Sequence, residues 1–383
     1  MLKSNVVSYI VLAHIYGMII AYSSGILVFT TTQMLIALKL ISFAYNYFDG
    51  TYDKKRVFGE HSDPKVAKMY ADRRRFAITS LPNPLEFYGY AYCFTCLLAG
   101  PAFEYTDYVN GIDLPKTFPK SVNTPSPSLS STMHIALRKF TEGILCLALH
   151  LTLSAQFKIS TMYTDDFIKT YSIPYRLFYA YLAIVAQRCR FYFAWKIAEG
   201  TCVMSGFDGV EIVDIMQVET ATSLQSLTRH WNKRTQRWLE RYVYLRTESS
   251  LFATYFISAI WHGPYPGFIM FFLSVPLITL VERQIRCKIN LLLMGNARGA
   301  DLLTFLRCNA SILQRLILSF YCLICWVCLT VEMVYLAHLF IKLPAHNLVA
   351  VMSSFYYLGH LIPVFLYMVL YSLPIPKSKI KIH

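Results

Sequence analysis

The sequence predicts an all-α polytopic membrane protein, and three observations carry that reading. Hydrophobic residues fill 55% of the 383 positions and charged residues only 15%, against about 25% charged in soluble domains. Mean hydropathy is +0.41. Residues 4–38, 249–281 and 343–376 carry no Asp, Glu, Lys or Arg, and each run is long enough to cross a hydrocarbon core about 30 Å thick. Counting the other apolar stretches gives eight or nine spans within one domain, residues 1–383. The net charge of +14 raises nucleic acid as a partner. Its basic residues instead cluster in short segments between apolar runs, as in cytoplasmic loops facing anionic headgroups, so no nucleic-acid partner is expected.

Taken in order, residues 4–38 hold one span and the start of a second, which Lys39 interrupts and which ends near Phe48. The apolar region is too long for a cleaved signal peptide. Residues 53–75 carry Lys54, Lys55, Arg56, Arg73, Arg74 and Arg75 and read as a cytoplasmic basic loop. Residues 87–103 are uncharged, and Gly100-Pro101 is expected to end their helix near the interface. Residues 110–132, with four prolines among Ser and Thr, read as a loop. Residues 137–157 form a further span with His150 inside it, read as a packed core residue. The run 176–200 places Arg188, Arg190 and Lys196 in apolar surroundings. Cations there need partners: either they snorkel to the interface, or they attract a phosphate.

From Ile215 through Val218, Ala221, Leu224 and Leu227 to Trp231, apolar residues recur at helical spacing. The pattern predicts one helix continuing to Arg246, its cations alternating with Trp231, Trp238 and Tyr242, lying at the headgroup plane. Within the charge-free run that follows stands His262. At membrane depth an ionisable side chain is a functional hypothesis by default; a core histidine bonded to a neighbouring helix is the other reading. Gly263, Pro264, Pro266 and Gly267 follow it and are expected to break the helix, freeing backbone groups that are tolerated there only inside protein or along a cavity. Residues 282–307 read as a second basic loop, 316–341 as a span, and 343–376 as a tilted span plus a re-entrant piece. Asn309-Ala310-Ser311 is a weak glycosylation sequon. Residues 377–383 form a cytosolic tail, PKSKIKIH with Pro376, in which Lys379 and Lys381 fit either a dilysine retrieval signal or a plain basic end. Cys322, Cys325 and Cys328 line one helix side as packing residues, and no metal site is expected.

These residues resemble a known family, the membrane-bound O-acyltransferases, in their lysophospholipid acyltransferase branch. The similarity lies in Trp261, His262, Gly263, Gly267, Phe268 and Phe272; in Trp231, Asn232, Trp238 and Leu239; in Leu98, Gly100, Pro101, Phe103, Tyr105, Asp107 and Tyr108; in the string from Arg188 to Glu199; in Tyr335 with Phe340; and in Tyr356, Tyr357 and His360. Phe268 stands where the pattern has Tyr, and Met352 replaces an upstream Tyr. Residues 33–50 resemble a stretch that follows two or more spans in relatives, so the chain is expected to begin after the family's first spans. The resemblance implies a helical bundle around a buried chamber, with His262 and Asn232 catalytic. It also implies acyl-CoA as co-substrate, a lysophospholipid acceptor, no cofactor, and an endoplasmic reticulum membrane location. Arg188, Arg190, Tyr192, Trp195, Trp231, Arg234, Trp238 and Trp261 are the expected substrate-binding residues.

The chemistry fits that reading. Acyl transfer from a thioester to an alcohol needs a base for the hydroxyl and a donor for the oxyanion, and a neutral His262 beside an Asn232 amide supplies both. No G-x-S-x-G elbow, no His followed by Asp at five residues, and no H-E-x-x-H occurs. Two other readings are an inactive relative that binds lipid or acts as a scaffold, and a transporter, for which internal repeats are expected and none is found.

Overall fold

The computed structural model describes residues 8–16, 28–112, 129–207, 209–294, 312–341, 349 and 352–372; its regular elements are all helices, with no strand among these residues. In chain order the helices are α1 (8–16), α2 (Val28–Thr51), α3 (Lys54–Val57), α4 (Pro64–Phe76), α5 (Pro84–Ala91), α6 (Tyr105–Ile112), α7 (Leu129–Gln156) and α8 (Asp165–Thr170). They continue as α9 (Ile173–Met204), α10 (Ile215–Glu219), α11 (Leu224–His230), α12 (Lys233–Tyr242), α13 (Leu251–His262), α14 (Pro266–Met294), α15 (Ile312–Ile341) and α16 (Leu358–Ser372). Within α14 and α15, Pro266–Lys288 and Ser319–Ile341 are long and apolar enough to cross a membrane unaided; α13 and α16 are apolar but shorter.

Several expectations are revised. The 87–103 run is not one helix: α5 stops at Ala91, nine residues before Gly100, and turns follow. The 53–75 segment is mostly helical, because Arg73 pairs with Asp49 and Asp53 (2.5 and 2.6 Å) and so folds onto α2. Residues 282–294 continue α14, where Glu282 and Arg286 pair one helical turn apart at 2.7 Å. The expected single helix over 215–246 is three α-helices followed by a short 3-10 helix, Tyr244–Arg246. Ser223 caps α11 by accepting from the Ser226 amide (3.0 Å), and Asn232 interrupts the chain before α12. The sequon, residues 113–128 of the Pro-rich segment, part of the 343–376 run and the tail lie outside the described residues.

The chain divides into two compact units. The first comprises residues 1–154, 185–214 and 230–264. Its core gathers on α2: Phe43 meets Phe87 and Tyr105 edge-on at 5.0 and 5.4 Å, and Phe103 and Tyr108 stack at 6.4 Å. Phe103, Tyr105 and Tyr108, three of the family-like residues near Gly100, are therefore buried packing groups. A second cluster places Trp238 and Tyr242 of α12 on Leu38 and Ile41 of α2, with Trp261 at its edge. The second unit comprises 155–184, 215–229 and 265–383. Its core joins Met162, Phe167, Tyr179 and Ala183 to Val334 of α15. Gly359 of α16 sits so close to the Tyr335 ring that an added Cβ would fall 2.2 Å from it, which explains a glycine at that position.

Candidate active site

His262 is the last residue of α13. The helix starts where Ser250 accepts from the Ala253 amide (3.2 Å) and stops at Gly263, whose φ of 122° and ψ of 150° only glycine adopts readily. The break that the Gly and Pro residues predict is therefore present, with α14 beginning at Pro266. The His262 ring is partly buried, and its Nδ1 lies 2.8 Å from the Ser258 carbonyl. A carbonyl only accepts, so Nδ1 carries the proton and Nε2 the lone pair. The indole of Trp261 stands at 85° to that imidazole, 4.6 Å away, and its Nε1 donates to the Met34 carbonyl (3.1 Å).

The Trp261 carbonyl belongs to the last turn of α13, where no intrahelical partner remains. It is met by Nε2 of His14 at 3.1 Å. His14 lies on α1 and is 2% exposed. Sequence reasoning passed over it, although a histidine in a charge-free run was the available signal.

Asn232 adopts the left-handed conformation (φ 41°, ψ 56°) and caps α12, its Oδ1 accepting from the Thr235 amide at 3.4 Å. Asparagine is among the few residues that visit this region readily, and the cap directs Oδ1 to the helix while Nδ2 remains a donor. The corner is held from outside α12. The Lys233 amide donates to the Ile212 carbonyl (2.7 Å), and the Asp214 amide to the His230 carbonyl (3.1 Å). The 212–213 strip is itself fixed by Glu199, which is fully buried and accepts from the Ile212 and Val213 amides (2.6 and 3.0 Å). Glu199 also pairs with Lys139 and Lys196, both at 2.9 Å.

The expected binding residues fall into groups. Tyr192, Trp195 and Trp231 form an aromatic knot, with Trp231 edge-on to Tyr192 at 5.8 Å and to Trp195 at 4.9 Å. Arg190 is exposed, lying over Phe191, while Arg188 is only partly so. Lys196 neither snorkels nor awaits a phosphate, being paired with Glu199 and with Glu142 (3.3 Å). Arg234 donates to the Gly209 carbonyl. Trp238 is buried against α2, its Nε1 donating to the Leu38 carbonyl at 3.0 Å, so its face packs on protein. Arg241 of the same helix reaches Asp72 (2.5 Å) and Glu104 (2.8 Å), and the single proton of the Tyr242 hydroxyl is shared between Asn46 Oδ1 and Glu104, each 2.8 Å away. His150 donates from Nδ1 to the Ala186 carbonyl (2.8 Å), a satisfied core histidine.

In the second unit, residues from separate family-like motifs meet. Phe268 and Phe272 pack on Phe340 (4.6 and 6.2 Å). His360 bridges Tyr335 (2.8 Å to Nδ1) and Ser274 (2.8 Å to Nε2). Ser274 Oγ spends its proton on the Met270 carbonyl (2.7 Å), so it accepts from His360 Nε2, and Nδ1 accepts from Tyr335.

Two apolar helices long enough to cross a membrane, in α14 and α15, with a histidine at the break before the first of them, fit a helical membrane protein. The chain belongs to the membrane-bound O-acyltransferase family, described as "MBOAT, membrane-bound O-acyltransferase family", whose sequence model matches residues 15–323. It is 30% identical over 280 residues to a lysophospholipid acyltransferase of Schizosaccharomyces pombe, an alignment covering 67% of this chain and 52% of that protein. It is 29% identical over 376 residues to membrane-bound glycerophospholipid O-acyltransferase 2 of Mus musculus, covering 92% of this chain and 65% of the relative. Lysophospholipid acyltransferase 1 of Arabidopsis thaliana is 26% identical over 398 residues, with 98% and 79% covered. The chain thus spans about half to two thirds of the length of the first two relatives.

Proposed function

We propose that this protein is an acyl-CoA-dependent lysophospholipid O-acyltransferase of the endoplasmic reticulum membrane, with several spans around a buried chamber and a cytosolic C-terminus. The single observation that carries the mechanism is the Nδ1 bond of His262 to the Ser258 carbonyl, which leaves the lone pair on Nε2. Nε2 takes the proton of the acceptor hydroxyl as its oxygen attacks the thioester carbonyl. The tetrahedral oxyanion is met by Nδ2 of Asn232, and its collapse forms the ester and expels the coenzyme A thiolate, which takes up the proton from His262. Atoms balance without an acyl-enzyme. The aromatic knot beside Asn232 supplies apolar walls for the acyl chain, and Arg190 a cation for the donor's phosphates.

Supporting the substrate class are the names of the three relatives, two called lysophospholipid acyltransferases and one a glycerophospholipid O-acyltransferase. The test is transfer of labelled acyl chains from acyl-CoA to lysophospholipids of different headgroups, in membranes carrying the full chain. His262→Ala is expected to insert normally and lose turnover by about 10²–10⁴-fold, and Asn232→Ala by about 10²–10³-fold. Wild-type turnover in the His262 variant removes the base assignment. No transfer by the unmodified chain to any lysolipid favours a lipid-binding or scaffold role instead.

A further inference from the structure

The first unit holds a cluster of thiols that the acyl-transfer chemistry does not use. After α5 the chain turns through Cys93-Phe94-Thr95-Cys96, the Cys96 amide donating to the Cys93 carbonyl at 3.2 Å. A closed turn of four residues brings the first and last Cα within about 7 Å, and disulfides span Cα distances of about 4.4–6.8 Å. The turn lies at the surface of its unit: Phe94 is 83% exposed, Cys93 8% and Cys96 1%. Cys202 reaches the same turn, its Sγ donating to the Thr95 carbonyl at 3.7 Å. No group of three ligands suited to a metal ion occurs among the described residues.

The neighbour that gives this turn its chemistry is Lys39 of α2. Its ammonium, 2% exposed, lies 3.0 Å from Cys96 Sγ, 2.9 Å from the Tyr90 carbonyl and 3.4 Å from the Ala91 carbonyl, between the Tyr90 and Phe103 rings. All these partners are neutral when the thiols are protonated. A buried cation held by neutral groups is costly, and an anion at its side relieves that cost. A thiolate is such an anion, and adjacent cations are what make cysteines nucleophilic.

We propose that Cys93 and Cys96 form a redox-active dithiol whose reduced form is stabilised by Lys39. The oxidant is a small disulfide of the glutathione class. The Cys93 and Cys96 thiols hydrogen-bond to each other, so the negative charge that Lys39 favours on Cys96 is exchanged with Cys93 by one proton moving between the sulfurs. The more exposed Cys93 thiolate then attacks one sulfur of that disulfide, forming a mixed disulfide and releasing one glutathione thiolate. Cys96 then attacks Cys93 Sγ and expels the second glutathione, its own proton passing to the departing thiolate. Two cysteine sulfurs lose two electrons in total, and the oxidant gains them as two thiols. Closing the bond removes the sulfur partner of Lys39, one residue from Leu38, whose carbonyl holds the Trp238 indole. The site stands on its own geometry and not on the acyltransferase reading.

The test equilibrates the full-length protein in membranes across oxidised-to-reduced glutathione ratios, quenches with acid, and maps thiols by mass spectrometry after alkylation. Cys93 and Cys96 are expected to lose their thiols together in one peptide two hydrogens lighter, in wild type and in Cys202→Ser but not in Cys93→Ser. Because stabilising the reduced form makes a dithiol more oxidising, Lys39→Met is expected to close at a ratio about tenfold lower, a shift of about 30 mV, with Lys39→Arg near wild type. A Cys93–Cys96 pair that stays reduced at every ratio, or that closes only with Cys202, overturns the site. An unmoved or oppositely moved midpoint in Lys39→Met overturns the role of the lysine.

Discussion

At the residue scale, Asn232 holds two jobs that substitutions can separate. Its backbone sits where most side chains are strained, and its Oδ1 caps α12. Asn232→Asp keeps the acceptor and tolerates the left-handed region but has no Nδ2. It is expected to unfold near the wild-type temperature while losing turnover by about 10²–10³-fold. Asn232→Gly keeps the backbone and loses both ends of the side chain, so it is expected to lose turnover with only a few tenths of a kcal/mol of stability. Unfolding temperatures read beside transfer rates check both. Full turnover in the Asp variant would show that the residue acts through the cap alone. His262 stands out in the sequence as a polar group in a charge-free run, whereas Asn232, set among Arg and Lys, is a candidate only through its resemblance to the family motif. His14 carries the same signal, a histidine in a charge-free run, but nothing local ties it to the Trp261 carbonyl 247 positions away.

At the scale of elements, the sequence announced some helix ends and hid others. Gly263 and Pro266 declare the stop and restart around His262, since neither residue tolerates a helix interior well. The break at Asn232 was concealed by apolar spacing from Ile215 to Trp231 that satisfies a single helix equally well. What decides between them is the cap at Thr235 and the amide of Lys233 reaching Ile212, a tertiary fact. Glu199 is the hidden support of that corner, serving two lysines and two backbone amides from full burial. Removing one partner of a buried ion pair leaves the others unneutralised, at about 3–5 kcal/mol. Glu199→Gln is therefore expected to lower the unfolding temperature markedly and to raise amide exchange at Ile212 and Val213. Unchanged protection there would mean that the glutamate does not hold the strip. The helices within the basic segment over 53–75 escape the sequence for a related cause: Asp49, buried on α2, is what Arg73 and Arg246 fold towards (2.5 Å each). Such pairs are set by packing and not by local pattern.

At the scale of the molecule, the all-helical class was legible from composition and charge-free runs alone, because lipid permits few other architectures. Which apolar runs stay continuous was not: 87–103 has the composition of a span, yet it breaks after Ala91 into the thiol-bearing turn. The two compact units also interleave along the chain, which changes hands at 154, 184, 214, 229 and 264. That interleaving bears on biosynthesis. The ribosome must pass residue 264 before α13 can join the first unit, while 155–184 and 215–229 wait for partners encoded still later. Nascent chains arrested before 264 are expected to be cut by protease throughout the first unit, and chains arrested after it to be protected between 28 and 112. Early protection would mean that this part of the chain matures before its last segment is made.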